Sequence, residues 1–355
     1  MYWLWNPDPV AIVIGGFGVT WYGLLFALGF LFAQRLVIFI YHKEGKPDRN
    51  LEALLIYLIV GTVAGARIGH CLFYDPVYYL HNPVTILRIW EGGLASHGAA
   101  AGILTALLIY SRRKHNQRFI WLVDRIAIVA ALVGGLVRLG NFINSEIVGS
   151  PTRTSCGVVF AAPIRDAILE SDPLVAVTGI GRMMGSGQMP PGIVPLRITL
   201  SSSQPAPSAE QRGLLLQRVR TGLLASRAAR MHIREGELPV VSLPEYADAT
   251  AMTLAIAAIA RHPVQLYEAC ACLTLAVVLF LVWWRQRSRL SHGLLFGWFL
   301  VVIFMSRFFL EHFKETAAVG ESGLPLTIGQ LLSLPFILAG LWLLLTRRNL
   351  FQVDK

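Results

Sequence analysis

Seven stretches of the chain hold apolar side chains over the roughly 20 residues that a membrane-crossing helix needs. They are Thr20–Tyr41, Leu51–Phe73, Gly93–Tyr110, Trp121–Leu139, Val264–Trp284, Gly293–Leu310 and Ile328–Thr346. Between residues 150 and 262 the pattern changes. Clusters of Pro, Ser and Gly (GSGQMPPG, SSSQPAPS) alternate with short β-like runs such as IVPLRITL and LPVVSL. One basic stretch there, AEQRGLLLQRVRTGLLASRAARMHIREGE, has the spacing of an amphipathic helix. It fits either a helix on the membrane surface or one packed on a small domain of its own. No internal repeat is evident.

Composition strengthens the membrane reading. Of 355 residues, 55% are hydrophobic and 15% charged, against about 25% charged in soluble domains, and mean hydropathy is positive. The basic residues then orient the spans. HKEGKPDR follows the first, SRRKHNQR the third, RQRSR the fifth and TRR the seventh, whereas the loops at Asp75–Glu91 and Thr316–Pro325 carry few basic residues. Basic loops stay cytoplasmic, so the N-terminus is expected outside and the C-terminus inside. The expected fold is an all-α polytopic membrane protein of seven transmembrane helices. Residues 1–149 hold the first four, 263–355 the last three, and 150–262 form an extracytoplasmic insert of mixed α/β or irregular structure.

The net charge of +10 does not point to nucleic acid, because the basic residues follow apolar runs instead of gathering into an aromatic-studded patch. MYWLWNPDP lacks a basic leader, so no cleavable signal peptide is expected. Cys71, Cys156, Cys270 and Cys272 have neither metal-ligand nor disulfide spacing.

With orientation assigned, the polar groups in the spans acquire a depth. Tyr22 opens the first span and Arg67 lies toward the outer end of the second. His97 lies a turn into the third, Arg138 and Asn141 close the fourth, Tyr267 and Glu268 open the fifth, and Arg307 with Glu311 close the sixth. All fall near the outer headgroups, and intramembrane ionisable residues mark functional sites by default. Each also has a plainer reading. Arg138 can snorkel, although Asn141 and Ser145 follow it at helical spacing to make a polar wall. Arg307 and Glu311, four apart, can form a structural pair, with Glu311 orienting the arginine. His97, amid the small residues of GGLASHGAAAG, can be a satisfied core histidine. Arg67 can simply hold backbone carbonyls, Tyr22 can belong to the interfacial aromatic belt, and Tyr267 with Glu268 read best as anchors of a span.

Arginines, a histidine and amides in an outer-leaflet cavity suit a lipid phosphodiester, which a guanidinium fork grips bidentately. The chemistry is then displacement at carbon with phosphate leaving, or attack at phosphorus. Either needs stabilised negative charge on phosphate oxygens. No metal-ligand cluster is visible, so the arginines must supply it, and no cofactor is expected.

These residues sit in motifs that resemble one family. RLGNFINSEIVG at 138–149 is similar to the signature of bacterial prolipoprotein diacylglyceryl transferase. WYG at Trp21–Gly23, GARIGHCLFYDP at Gly65–Pro76, WEGGLASHG at Trp90–Gly98, RHPVQLYEA at Arg261–Ala269, SRFFLEHFK at Ser306–Lys314 and TIGQLLSLP at Thr327–Pro335 follow in order. The resemblance implies transfer of the sn-1,2-diacylglyceryl group of phosphatidylglycerol to the thiol of the lipobox cysteine in a prolipoprotein, with release of glycerol phosphate. It implies a monomer in the bacterial inner membrane, with its active site toward the outer leaflet. By motif, Arg138 and Arg307 correspond to the arginines of lipid binding and catalysis, and His97 to the proposed general base. Asn141, Glu146, Gly149, Tyr22 and Glu311 match positions important for activity. Asn141 and Asn144 are expected to orient glycerol hydroxyls and Glu146 to fix an arginine, with Arg67 a further binding candidate. The chain departs from the family pattern at Val137, where Gly precedes the arginine, at Ala99 within the histidine motif, and at Ile303, where a tyrosine is expected. The 150–262 segment is expected to be longer than usual. The rival readings are a transporter or channel, another phospholipid-headgroup transferase, and a non-catalytic lipid-binding scaffold.

Overall fold

A computed structural model describes residues 2–46, 51–88, 93, 95–113, 117–183, 189–203, 208–234, 241–242, 251–314 and 326–350. The loop expected at Thr316–Pro325 lies outside the described residues, as do parts of the basic loops after the first and third spans and of the GSGQMPPG, SSSQPAPS and LPVVSL runs. Two compact units emerge. One comprises Met1–Phe26, Val137–Ala269 and Phe309–Ile328, the other Ala27–Leu136, Cys270–Phe308 and Gly329–Lys355.

Helices dominate where the apolar runs predict them: α1 (Trp21–Lys43), α2 (Leu51–Phe73), a short α3 (Pro76–His81), α4 (Ser96–Arg113) and α5 (Phe119–Ile143). After the 150–262 segment come α9 (Val264–Gln286), α10 (Leu294–Leu310) and α11 (Ile328–Leu350). Six of these helical stretches are long and apolar enough to cross a membrane. The expected third span is helical as α4, but Ser96, His97, Thr105, Ser111, Arg112 and Arg113 make it the least apolar of the set.

Within the helical unit, α2 and α4 meet through glycines. Side chains at Gly61, Gly65 and Gly69 would strike the backbone of Gly98 and Gly102, which is the close approach that small-residue spacing permits. The ends of α1 and α5 are tied by charge. Arg125 and Glu44, each 2% exposed, pair at 2.9 Å, and the indole N–H groups of Trp121 (2.8 Å) and Trp283 (2.6 Å) also donate to Glu44. Asp124 accepts the backbone N–H groups of Gly293 (2.7 Å) and Phe296 (2.8 Å), satisfying donors that the first turn of α10 leaves open. The N-terminal part of α5 is therefore not the purely apolar stretch that its hydropathy suggests.

The other unit carries the strands. β1 (Trp3–Trp5) runs parallel to β4 (Val158–Phe160), and β2 (Val10–Ile14) forms a hairpin with β3 (Phe17–Thr20). β5 (Val175–Arg182), β6 (Ile193–Ser202), β8 (Ala251–Ile259) and β7 (Val241–Ser242) make an antiparallel sheet in the order β5-β6-β8-β7. β6 is the IVPLRITL run, and its alternate residues Val194, Leu196, Ile198 and Leu200 are buried, as a strand with one covered face requires. Against that core pack α6 (Ala162–Ser171), α7 (Ala209–Ala225) and α8 (Arg227–Arg230). α7 opens on a capping box between Ser208 and Gln211 and buries Leu215, Leu216, Val219 and Leu223. The basic amphipathic stretch thus lays its apolar face on its own domain, and a membrane-surface role for that face is ruled out.

Candidate active site

The signature segment ends a helix and then turns sharply. α5 stops at Ile143, and Ser145 and Ile147 adopt φ of 57° and 54°. Ser145 therefore does not continue the helical polar wall with Arg138 and Asn141, as the spacing suggested. A β-branched residue with positive φ stores backbone strain of the kind that collects at functional sites. The turn is held from within by Glu146, whose carboxylate accepts the side-chain N–H groups of Asn141 (2.9 Å) and Asn144 (3.1 Å). Glu146 was expected to fix an arginine; it fixes the two amides instead.

The segment before α9 grips the turn from outside. The Gly149 N–H donates to the His262 carbonyl at 3.0 Å, Arg261 donates to the Gly149 carbonyl at 2.9 Å, and the Gln265 amide donates to the Glu146 carbonyl. A Cβ at Gly149 would lie 2.5 Å from the His262 oxygen, so the position tolerates only glycine without displacement. Arg261, 1% exposed, also donates to the Met231 carbonyl. Burial lowers the pKa of His262 from its ordinary value, and its ring lies 3.4 Å from the Tyr267 hydroxyl.

Arg138, five residues before the end of α5, meets Glu268 of α9 with Nε and Oε2 2.8 Å apart. Lys314 takes the other oxygen of Glu268 at 2.9 Å and lies 3.3 Å from Glu311. The result is a chain of alternating charges, Arg138–Glu268–Lys314–Glu311. Glu268 is 8% exposed and is the counter-ion of an arginine, which corrects its reading as a span anchor. Glu311 has Lys314 as an ion-pair partner, a contact the spacing argument missed. The Tyr22 ring lies against Gly140, where a Cβ would come within 2.8 Å of it, and Tyr22 is in electrostatic range of both Glu146 and Arg138. Tyr22, Arg138, Asn141, Asn144, Glu146, Gly149 and Glu311 thus belong to one unit.

His97, Arg307 and Arg67 belong to the other. His97 is exposed on the first turn of α4 and lies within electrostatic range of Arg307. Arg67 is 4% exposed and donates to the carbonyls of Ile86 (2.8 Å), Thr85 (2.5 Å) and Gly93 (3.2 Å), with its guanidinium 5.2 Å from the Tyr79 ring. Of its two readings, the structure favours the backbone-holding one, and the segment it holds leads into α4 and His97. Ile303, a turn before Arg307, packs on the apolar core of Leu275, Leu279 and Leu295. Among the described residues no group of three His, Cys, Asp or Glu could hold a metal ion.

Glu268 and Lys314 are the residues that sequence reasoning undervalued. Both stood inside quoted motifs, RHPVQLYEA and SRFFLEHFK, and Lys314 follows Glu311 by three positions. Motif membership and the i,i+3 spacing of Glu311 and Lys314 were the available signals; the pairs made through Glu268 leave no local trace.

The arrangement sets paired charges beside amide side chains, and comparison with known proteins gives the family. The family model described as "Prolipoprotein diacylglyceryl transferase" matches residues 9–346. A phosphatidylglycerol–prolipoprotein diacylglyceryl transferase of Tolumonas auensis is 36% identical over 96% of this chain and 96% of its own. Proteins of the same name from Chloroherpeton thalassium (32% identical, 100% of this chain, 97% of its own) and Porphyromonas gingivalis (34%, 96% and 93%) align equally fully. Coverage of that extent includes the 150–262 segment, which these relatives therefore share. A model match over nearly the whole chain, with relatives above 30% identity end to end, leaves one conclusion: the chain is a transferase and belongs to the prolipoprotein diacylglyceryl transferase family.

Proposed function

We propose that this chain transfers the sn-1,2-diacylglyceryl group of phosphatidylglycerol to the thiol of the lipobox cysteine of prolipoproteins. Membership of the family supports the reaction class, and the names of the relatives supply the two substrates. The observation that carries the residue assignment is Arg138 paired through Nε to Glu268. A guanidinium held by one edge is pre-oriented, and its terminal nitrogens suit a phosphate.

In the proposed reaction the cysteine sulfur attacks the glycerol carbon that bears the phosphate. The C–S bond forms, the C–O bond breaks, and the electron pair leaves on glycerol phosphate. Arg138 and Arg307 stabilise the charge growing on the phosphate oxygens. His97 takes the thiol proton, because a thiol of pKa about 8.5 is a weak nucleophile until ionised. Asn141 and Asn144, set by Glu146, orient the glycerol hydroxyls. Tyr22 and Glu311 line the site, Gly149 keeps the turn closed, and Arg67 positions the chain ahead of His97.

Topology follows the same proposal. α4 completes seven spans, the N-terminus and the 150–262 segment lie outside, and the C-terminus is cytoplasmic. The protein works as a monomer in the bacterial inner membrane, with its site toward the outer leaflet. Residues 1–149 and 263–355 supply the membrane body around the insert.

A cell-free assay tests the reading with labelled phosphatidylglycerol and a lipobox peptide. The expected products are a lipidated peptide and free glycerol phosphate, and a peptide with serine for cysteine gives none. Lipidation of the serine peptide, or glycerol phosphate released without peptide modification, overturns it.

A further inference from the structure

From Val10 to Val19 the chain reads VAIVIGGFGV, ten residues without one polar side chain. The stretch folds as the β2–β3 hairpin, with Gly15 and Gly16 at φ of 55° and 88°, the positive values that a two-residue type I′ turn demands. An antiparallel hairpin in water covers one face with core and wets the other, so its residues alternate in polarity. Here neither face is polar. Ile12 and Ile14 pair with Val19 and Phe17, Val13 points the opposite way along the strand, and Ile12, Val13, Ile14 and Phe17 are 52, 67, 64 and 81% exposed. A Cβ built on Gly15 or Gly16 meets nothing within 4 Å.

The base of the hairpin is locked to a membrane helix. The Trp21 N–H donates to the Pro9 carbonyl at 3.0 Å, the Gly23 N–H donates to the Thr20 hydroxyl at 3.1 Å, and the Val10 N–H donates to the Asp8 carboxylate at 2.9 Å. α1, one of the six membrane-length helices, starts at the next residue. Its exposed Trp21 and Phe26 continue the same apolar surface, and no charged residue occurs between Asp8 and Arg35. Membrane lipid is the surrounding already implied for α1, and the hairpin tip extends that surface without a polar break.

We propose that the β2–β3 hairpin is a membrane wedge, its tip seated among the lipids of the leaflet where α1 begins. A two-stranded ribbon has open edges whose N–H and C=O groups cannot be left unpaired in hydrocarbon. The tip therefore sits at the boundary of headgroups and acyl chains, about 5–10 Å deep, where water still reaches the edges. Its second strand runs directly into Tyr22, whose ring packs on Gly140 of the signature helix. The catalytic consequence rests on the transferase reading: the wedge keeps the lipid-facing side of Tyr22 in contact with substrate lipid.

The full chain carrying Phe17→Cys, labelled with a nitrobenzoxadiazole fluorophore and reconstituted in phosphatidylcholine–phosphatidylglycerol vesicles, tests insertion. The unsubstituted chain labelled in parallel gives the background from the native thiols. Blue-shifted emission, quenched by lipids spin-labelled near the headgroup and spared by aqueous iodide, is expected. Water-like emission quenched by iodide overturns the proposal, and so does shielding that appears only after a lipobox peptide is added, which assigns the tip to peptide. This readout needs no turnover, so it separates a failed wedge from a failed transferase assignment. In the assay, Ile14→Asp with Phe17→Asp is expected to raise the KM for phosphatidylglycerol about fivefold, the penalty of charge placed near a membrane interface, with kcat little changed. Val13→Lys serves as a second variant at the open tip, and an unchanged KM in both overturns the substrate-contact role.

Discussion

Arg138 and Glu268 lie on different helices, and their side chains meet at 2.8 Å. The carboxylate is shared with Lys314 at 2.9 Å, so one buried acid balances two cations. Arg138→Ala is expected to lower kcat by about 100- to 1,000-fold, the loss typical of a removed donor to developing negative charge. Glu268→Gln keeps the shape but releases Arg138 and leaves Lys314 to Glu311, and about tenfold or more of kcat/KM is expected to go with the lost orientation. Glu268→Asp is expected to restore part of it. Steady-state assays on folded protein check the series, and full activity in Glu268→Gln would remove the counter-ion from the account.

Gly149→Ala places a methyl group 2.5 Å from the His262 carbonyl. Overpacking of that order costs about 1–3 kcal/mol, and a lower melting temperature in detergent is expected together with lost activity. Gly140→Ala strikes the Tyr22 ring at 2.8 Å. Its expected effect is a larger drop in activity than in melting temperature, since an aromatic ring can swing aside more readily than a backbone.

Glu44 supports Arg125, Trp121 and Trp283 together. Glu44→Ala leaves the buried Arg125 guanidinium to Asp124, 3.8 Å away, and the expected loss is up to about 3–5 kcal/mol. Thermal unfolding of the variant is expected well below that of the parent, with Glu44→Gln between them because it still accepts from the indoles. Equal melting temperatures for all three would dismiss the cluster as a stabilising element.

His232 lies in the sheet-bearing unit, 3% exposed, with its pKa lowered to about 3, first by burial and then by Arg261. A histidine whose folded pKa is depressed stays neutral in the native state while the unfolded chain binds a proton below about pH 6.5. Stability is therefore complete above that pH and falls as the pH drops from 6.5 toward 3, by at most about 1.4 kcal/mol per pH unit. His232→Phe, which retains an aromatic ring beside Phe160, is expected to flatten the slope. Denaturant unfolding at pH 7.5, 6 and 5 measures it, and parallel slopes for parent and variant would refute the assignment.

Hydropathy located the helices and motifs supplied the candidate residues, because both are properties of neighbouring residues. Leu51–Phe73 was read to the residue, and the signature segment held both Asn141 and Glu146, which the structure joins by a hydrogen bond. What each side chain touches was decided only by the tertiary structure. Arg67 stood open between backbone and substrate, and three backbone carbonyls claim it, while Glu268 looked like an anchor and is an ion-pair partner. Asp124 and Arg125 were invisible within an apolar run, because their partners Gly293 and Glu44 are far away along the chain. Burial of a charge is stable only when a partner arrives from elsewhere, and such a partner is set by how helices pack, which no local window of sequence records.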